Sequence, residues 1–226
     1  MRIGVLLSGC GVYDGAEIHE SVITLLALDR AGAEARCIAP DIAQLHVIDH
    51  RTGEVAEGES RNVLTEAARI ARGAVEDLAS VDPAQLDGLI LVGGFGAAKN
   101  LSTFAFEGEG CTVDADVAEL VLAMLDAGKP VGGLCITPAV LAAILRDAGR
   151  SASLSLGTAT GDYEGIDGKL EAMGQSHVKC PMTGIHVDEE LGLVCTPAYM
   201  EDGRISEAAE GIEALVARVL ELAQGA

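Results

Sequence analysis

The chain has no tryptophan, and aromatic residues make up only 3% of its 226 residues, so its core must be built from Val, Ile, Leu and Ala. That mixture is typical of parallel strands covered by helices. Basic residues are also scarce: 15 Lys and Arg stand against 35 Asp and Glu, a formal net charge of -20. Such a field repels phosphate backbones and anionic membranes, which argues against nucleic-acid binding and leaves solubility as its simplest purpose. The six cysteines never fall into a C-x-x-C pair, and no Cys/His cluster has zinc spacing, which points to a reduced protein without a metal. No apolar run approaches the roughly 20 residues of a membrane span. Leu7-Ser8-Gly9-Cys10 imitates a lipoprotein processing site, but only Ile3 to Leu7 is apolar before it, too short for a secretory signal. With no export signal, the expected location is the cytoplasm. No Pro- or Ser-rich linker divides the chain, so residues 1–226 are expected to form a single domain.

What is present alternates between buried strands and helices. Ile3–Leu7, Arg36–Pro40, Gly88–Val92 and Val131–Leu134 read as strands. Helices are expected over 16–31, 62–72 with Ser60 as a possible cap, 115–127 capped by Thr112 or Asp114, and 206–222, with another beginning near Pro138. His46 to Val55 reads as a small hairpin or an extended excursion, short strands fall near Leu154 and Val178, and 185–187 pairs with 193–196. The order indicates an α/β, doubly wound, mostly parallel sheet with helices on both faces. Ligands of such sheets bind outside the carboxyl ends of the strands. The loops after Leu7, Val92 and Leu134, rich in glycine or carrying a cysteine, converge there.

Cys135 stands out because it lies between a strand and a helix, preceded by glycines that let backbone approach and followed by a proline tolerated near a helix start. That is the pattern of a nucleophile elbow, where the helix N-terminus favours a thiolate. The other cysteines read as core residues. Glu20, about one turn into the first helix and three residues after Glu17, gains interest because its loop converges with Cys135. A partly buried carboxyl beside a thiol would have a raised pKa and could hold one proton to hand. Gly9, Gly11 and Gly15 do not make a dinucleotide fingerprint, because the third glycine would have to be at position 14, which is Asp14. His46 and His50 make a poor metal pair. His186-Val187-Asp188 imitates the His-x-acid half of an amidotransferase triad but falls in the arm of a hairpin, and it reads as a decoy. His19 and His177 have no partner identifiable from sequence.

Ser8 to Glu20, Gly93-Gly94-Phe95-Gly96-Ala97-Ala98-Lys99-Asn100-Leu101-Ser102, Cys135-Ile136-Thr137-Pro138-Ala139 and Thr196-Pro197-Ala198-Tyr199-Met200 resemble the blocks of the ElbB family. This family, also called isoprenoid biosynthesis protein ElbB, belongs to the class I glutamine amidotransferase-like, ThiJ/PfpI superfamily. The resemblance spans nearly the whole chain. It implies a flavodoxin-like fold, a homodimer, a nucleophile at Cys135 facing an acid at Glu20, and no metal or organic cofactor. The implied activity is that of a lyase-type, glutathione-independent glyoxalase acting on a small dicarbonyl, converting glyoxal to glycolate and potentially methylglyoxal to lactate. Ile136 follows the nucleophile where the peptidase branch has histidine, which removes the peptidase dyad.

In that reaction Cys135 would form a hemithioacetal, with the backbone N–H groups of Gly94 and Ile136 as the oxyanion hole and Glu20 as proton carrier. An enediol route and a direct hydride shift both lead to glycolate. The alternatives are a redox sensor using Cys135 as an oxidisable thiol and hydrolysis of early glycation adducts by the same residues. The role of Cys10 stays open between assisting, resolving an oxidised Cys135 and packing.

Overall fold

A computed structural model describes residues 1–160 and 164–225. Its central sheet has seven strands, built on β1 (Arg2–Leu6), β2 (Glu34–Ala39) and β5 (Val75–Asp77), with β6 (Gly88–Leu91), β7 (Val131–Leu134), β10 (His186–Asp188) and β11 (Leu193–Thr196). The spatial order is β10-β11-β7-β6-β1-β2-β5. Every neighbouring pair is parallel except β10 with β11. The central strands are apolar throughout because both faces are covered, so no alternation with polar residues is needed. The fold is therefore the doubly wound α/β sheet expected from the alternation of elements.

Helices α1 (Ile18–Arg30) and α8 (Ile205–Gly225) pack together, and α5 (Ala115–Asp126) packs with α6 (Thr137–Asp147). The expected hairpin forms as β3 (Ile48–Asp49) with β4 (Glu54–Val55), and β8 (Ser153–Leu154) pairs in parallel with β9 (Ser176–His177). Helix α2 spans Val63–Ile70, and its cap is Asn62 rather than Ser60: the Asn62 side chain accepts from the Thr65 N–H at 2.9 Å. Asp114 caps α5 as expected, accepting from Asp116 and Val117. Two short helices, α3 (Phe95–Lys99) and α4 (Phe104–Glu107), follow the glycine loop after β6, and α7 (Ile166–Ala172) precedes β9. Among the described residues no helix is long and apolar enough to cross a membrane.

Candidate active site

The carboxyl edge of β1, β6 and β7 brings three loops into contact. Glu17 N–H donates to the Gly93 carbonyl at 2.9 Å, Phe95 N–H to the Val12 carbonyl at 2.7 Å and Gly96 N–H to the Gly15 carbonyl at 3.0 Å. This closeness depends on missing side chains. A Cβ on Gly93 would lie 2.3 Å from the Cys135 Cβ, and one on Gly94, at φ +100°, would lie 2.4 Å from the Gly15 carbonyl oxygen.

At the end of β7 the chain turns sharply, and Cys135 has φ 58°, a left-handed value that a side-chain-bearing residue adopts only when its surroundings hold it there. The surroundings are visible. The Cys135 N–H donates to the Thr196 carbonyl at 3.0 Å, and the Thr137 hydroxyl donates to the Leu134 and Leu91 carbonyls at 2.8 and 3.2 Å. The elbow is thus tied to β11, β7 and β6. The backbone N–H groups of Gly94 and Ile136 both face the Cys135 sulfur.

Glu20 approaches from the first turn of α1 and is completely buried. Its carboxyl bonds to the Cys135 thiol, Oε2 accepts from the Gly93 N–H at 3.0 Å, and Oε1 accepts from the Tyr199 N–H at 3.5 Å. Glu17 caps the helix, its side chain accepting from the Glu20 N–H at 2.7 Å. Burial and the nearby Glu17 charge raise the Glu20 pKa to about 8, against the lowering effect of its hydrogen bonds. Burial and the Glu20 charge likewise push the Cys135 thiol well above its ordinary value, although the Gly94 and Ile136 N–H groups favour its anion. This corrects the expectation of a stabilised thiolate: a helix start and two amides do not outweigh desolvation next to a carboxyl. Two groups so close cannot both ionise near neutral pH, so the pair keeps at least one proton.

Val12, Gly94, Phe95, Cys135, Ile136, Tyr199 and Met200 line a cavity of about 40 Å³ over the sulfur. That is room for a few atoms, since one water needs on the order of 10–15 Å³ by this kind of measure. The wall is largely apolar, and its polar functions come from backbone.

The other candidates lie elsewhere. His186 Nε2 sits 2.8 Å from the Ser153 hydroxyl, and Asp188 accepts from the Ser153 N–H at 2.7 Å; neither lines the cavity. His19 does have a partner, the Tyr199 hydroxyl 3.0 Å from its Nδ1, and His177 Nε2 accepts from the Leu156 N–H at 3.2 Å. His50 packs against Asp14 and the Tyr13 N–H. Burial raises the pKa of half-buried Cys10, which is a free thiol. Among the described residues no group of three His, Cys, Asp or Glu is arranged to hold a metal ion. Sequence reasoning placed the Gly93 loop at the site, where the Gly93 N–H now reaches Glu20, but assigned no role to Tyr199 or Thr196, which supply backbone contacts to the pair. The position of Pro197-Ala198-Tyr199 just beyond the carboxyl end of a central strand was the available signal.

A parallel sheet that holds a cysteine on a strained strand-to-helix elbow, facing a carboxyl from its first helix, defines a cysteine-elbow α/β protein. No family model matches the chain. The human glutamine amidotransferase-like class 1 domain-containing protein 3, mitochondrial, is 46% identical over 224 residues, covering 98% of this chain and 83% of the human one. The ES1 protein homolog, mitochondrial, of Rattus norvegicus is 44% identical with 98% and 84% covered. Among solved structures, an isoprenoid biosynthesis protein with amidotransferase-like domain from Ehrlichia chaffeensis superposes with a TM-score of 0.89 at 33% identity, covering 98% of this chain and 99% of that one. The chain belongs to the glutamine amidotransferase-like class 1 family. The expected cytoplasmic location is overturned, because the human and rat relatives are both named mitochondrial. It had rested on a missing secretory signal, and the lack of one kind of address does not select a compartment.

Proposed function

We propose that this protein is a glutathione-independent glyoxalase of the ElbB branch, converting glyoxal to glycolate, with Cys135 as nucleophile and Glu20 as proton carrier. The carrying observation is the direct contact of a fully buried carboxyl with a cysteine on a strained elbow, under a cavity of about 40 Å³. The isoprenoid biosynthesis name of the Ehrlichia chaffeensis neighbour supports the branch.

The Cys135 sulfur adds to one aldehyde carbon as its proton passes to the Glu20 carboxylate, and that proton reaches the new alkoxide to give a hemithioacetal. The N–H groups of Gly94 and Ile136, which already face the sulfur, stabilise the developing oxyanion. Glu20 then removes the hemithioacetal C–H proton to form an enediolate, the hydroxyl proton of the first carbon moves to the oxygen of the second, and Glu20 delivers its proton to the second carbon, so the first carbon is oxidised as the second is reduced. The product is a glycolyl thioester. Water cleaves the C–S bond, releasing glycolate and a proton and restoring the thiol. A direct hydride shift would give the same thioester with Glu20 moving only hydroxyl protons. A carboxyl with a pKa of about 8 suits this work, because both of its forms are populated near neutral pH. The redox-sensor alternative draws less support, since it needs an accessible thiolate and Cys135 is buried with a raised pKa. The working form is a homodimer in this proposal, supported by Ile18, Val22 and Leu26, exposed at successive turns of α1. Sedimentation of the wild type, which should give a dimer, checks that part.

The activity test is glycolate formation from glyoxal without glutathione or added metal. Many equivalents per chain are expected from the wild type. Cys135→Ala should lose at least about 1,000-fold and Glu20→Gln about 100-fold or more. Stoichiometric consumption of glyoxal by the wild type would reject the enzyme.

A further inference from the structure

The short segment from Thr196 to Met200 touches both members of the pair. The Thr196 carbonyl accepts from the Cys135 N–H at 3.0 Å, the Tyr199 N–H reaches Glu20 Oε1 at 3.5 Å, and Tyr199 and Met200 wall the cavity. The segment is a single 3-10 turn, Ala198–Met200, entered through a residue at φ 45° (Ala198), so its own backbone does not explain its position. Two side chains tie it down: the Thr196 hydroxyl donates to the Gly184 carbonyl at 2.8 Å, and the Tyr199 hydroxyl lies 3.0 Å from Nδ1 of His19 with the two rings tilted at 5.8 Å between centroids. His19 is the chain neighbour of Glu20. The hydrogen bond therefore joins the turn after β11 to the helix turn that carries the proton carrier, across 180 positions of sequence.

We infer that His19 and Tyr199 form a strap that positions the Tyr199 N–H on the Glu20 carboxyl, making both of them positioning residues for the Cys135–Glu20 pair. The inference rests on reading that pair as the working site. Its contribution is geometric. Among the described residues, the titratable groups that face Glu20 are Glu17 at the helix cap, the Cys135 thiol from the elbow and the Tyr199 phenol from the turn after β11, and its carboxyl meets the Gly93 and Tyr199 N–H groups. Of these two backbone donors, Gly93 lies in a loop sewn to its neighbours by backbone hydrogen bonds, whereas Tyr199 reaches α1 by its side chain. Loosening the strap withdraws a donor that favours the ionised carboxyl. The carboxyl then keeps its proton to higher pH, and the thiol, relieved of the Glu20 charge that raises it, ionises at lower pH.

The test is the pH profile of Cys135 alkylation by iodoacetamide in the full-length protein, read by intact mass and assigned with Cys135→Ala. Tyr199→Phe removes only the hydroxyl, His19→Ala removes its partner, and His19→Asn keeps a polar atom near the position of Nδ1. The profile should move down by about half a pH unit in Tyr199→Phe and His19→Ala alike, because a Glu20 that stays neutral opposes the thiolate less. His19→Asn should return it most of the way. An unchanged profile, or a shift in Tyr199→Phe without one in His19→Ala, would overturn the strap. Alkylation does not depend on the substrate. Failure of the wild type to make glycolate would thus count against the glyoxalase alone, and glycolate formation with unshifted profiles against the strap alone.

Discussion

Two places in this molecule set an acid beside a hydrogen-bonding group near the end of a strand, and they behave in opposite ways. At His186 and Asp188, on the edge of the sheet, the Asp188 carboxylate takes N–H bonds from Ser153 and Leu191 and the Ser153 hydroxyl, and these hold its pKa below the ordinary value against the cost of its partial burial. At Cys135 and Glu20 burial prevails and both groups are raised. The first arrangement stabilises a charge and knits a hairpin. The second withholds stabilisation from a charge and so keeps a proton that a reaction can use. Residue types alone make the edge pair the better triad candidate; its place in a hairpin arm argues against that from sequence, and burial and partners supply the physical reason.

The contrast breaks most sharply in activity. His186→Ala and Asp188→Asn should leave glycolate formation within about twofold of wild type in an assay where Cys135→Ala falls by at least about 1,000-fold. Comparable losses at both places would remove the distinction. Next in size is Gly93→Ala, whose Cβ would meet the Cys135 Cβ at 2.3 Å and Glu20 Oε2 at 2.6 Å, with little freedom to relax. Denaturant unfolding should show a loss of about 3 kcal/mol or more.

The smallest effect is the most discriminating, because its sign differs between the two sites. Glu20 has a folded pKa of about 8, above that of an exposed carboxyl, so the native state binds more protons than the unfolded state between about pH 4.5 and 8. Wild-type stability should therefore fall relative to Glu20→Gln as pH rises through that window, by about 2 kcal/mol or more. Asp188 has a lowered folded pKa, so its contribution is present above the unfolded value near 4 and is lost as pH falls through the folded one. Wild-type stability relative to Asp188→Asn should shrink on acidification, by about 1 kcal/mol. Melting curves of the three proteins from pH 3 to 9 check both signs.

Much of the framework was legible because fully buried parallel strands leave unbroken apolar runs, as in Gly88–Leu91, and because Asp114 and Gly128 bracket a helix with ordinary stop signals. Strand β5 was not. Val75-Glu76-Asp77 is an edge strand of three half-buried residues, two of them acidic, and Arg36 on β2 holds Glu76 through an ion pair that no local pattern announces. Helix α1 starts two residues later than expected because Glu17 serves as its cap instead of its second residue. Within the site, the glycine loops and the Cys135 turn could be read locally. The raised thiol could not, since it depends on Glu20 arriving from 115 positions away and on how deeply both are buried. The strap from His19 to Tyr199 is hidden for the same reason: each residue is ordinary until the fold closes.

The most direct test of this account is the titration of the Glu20 side-chain carboxyl, followed by carbon NMR of glutamate-labelled protein and assigned by difference with Glu20→Gln. A midpoint near 8, with a coupled change in Cys135 reactivity, is the expected result. A midpoint in the ordinary range near 4.5 would contradict it, because Glu20 would then be ionised throughout the neutral range and would hold no proton to exchange with the thiol or a substrate.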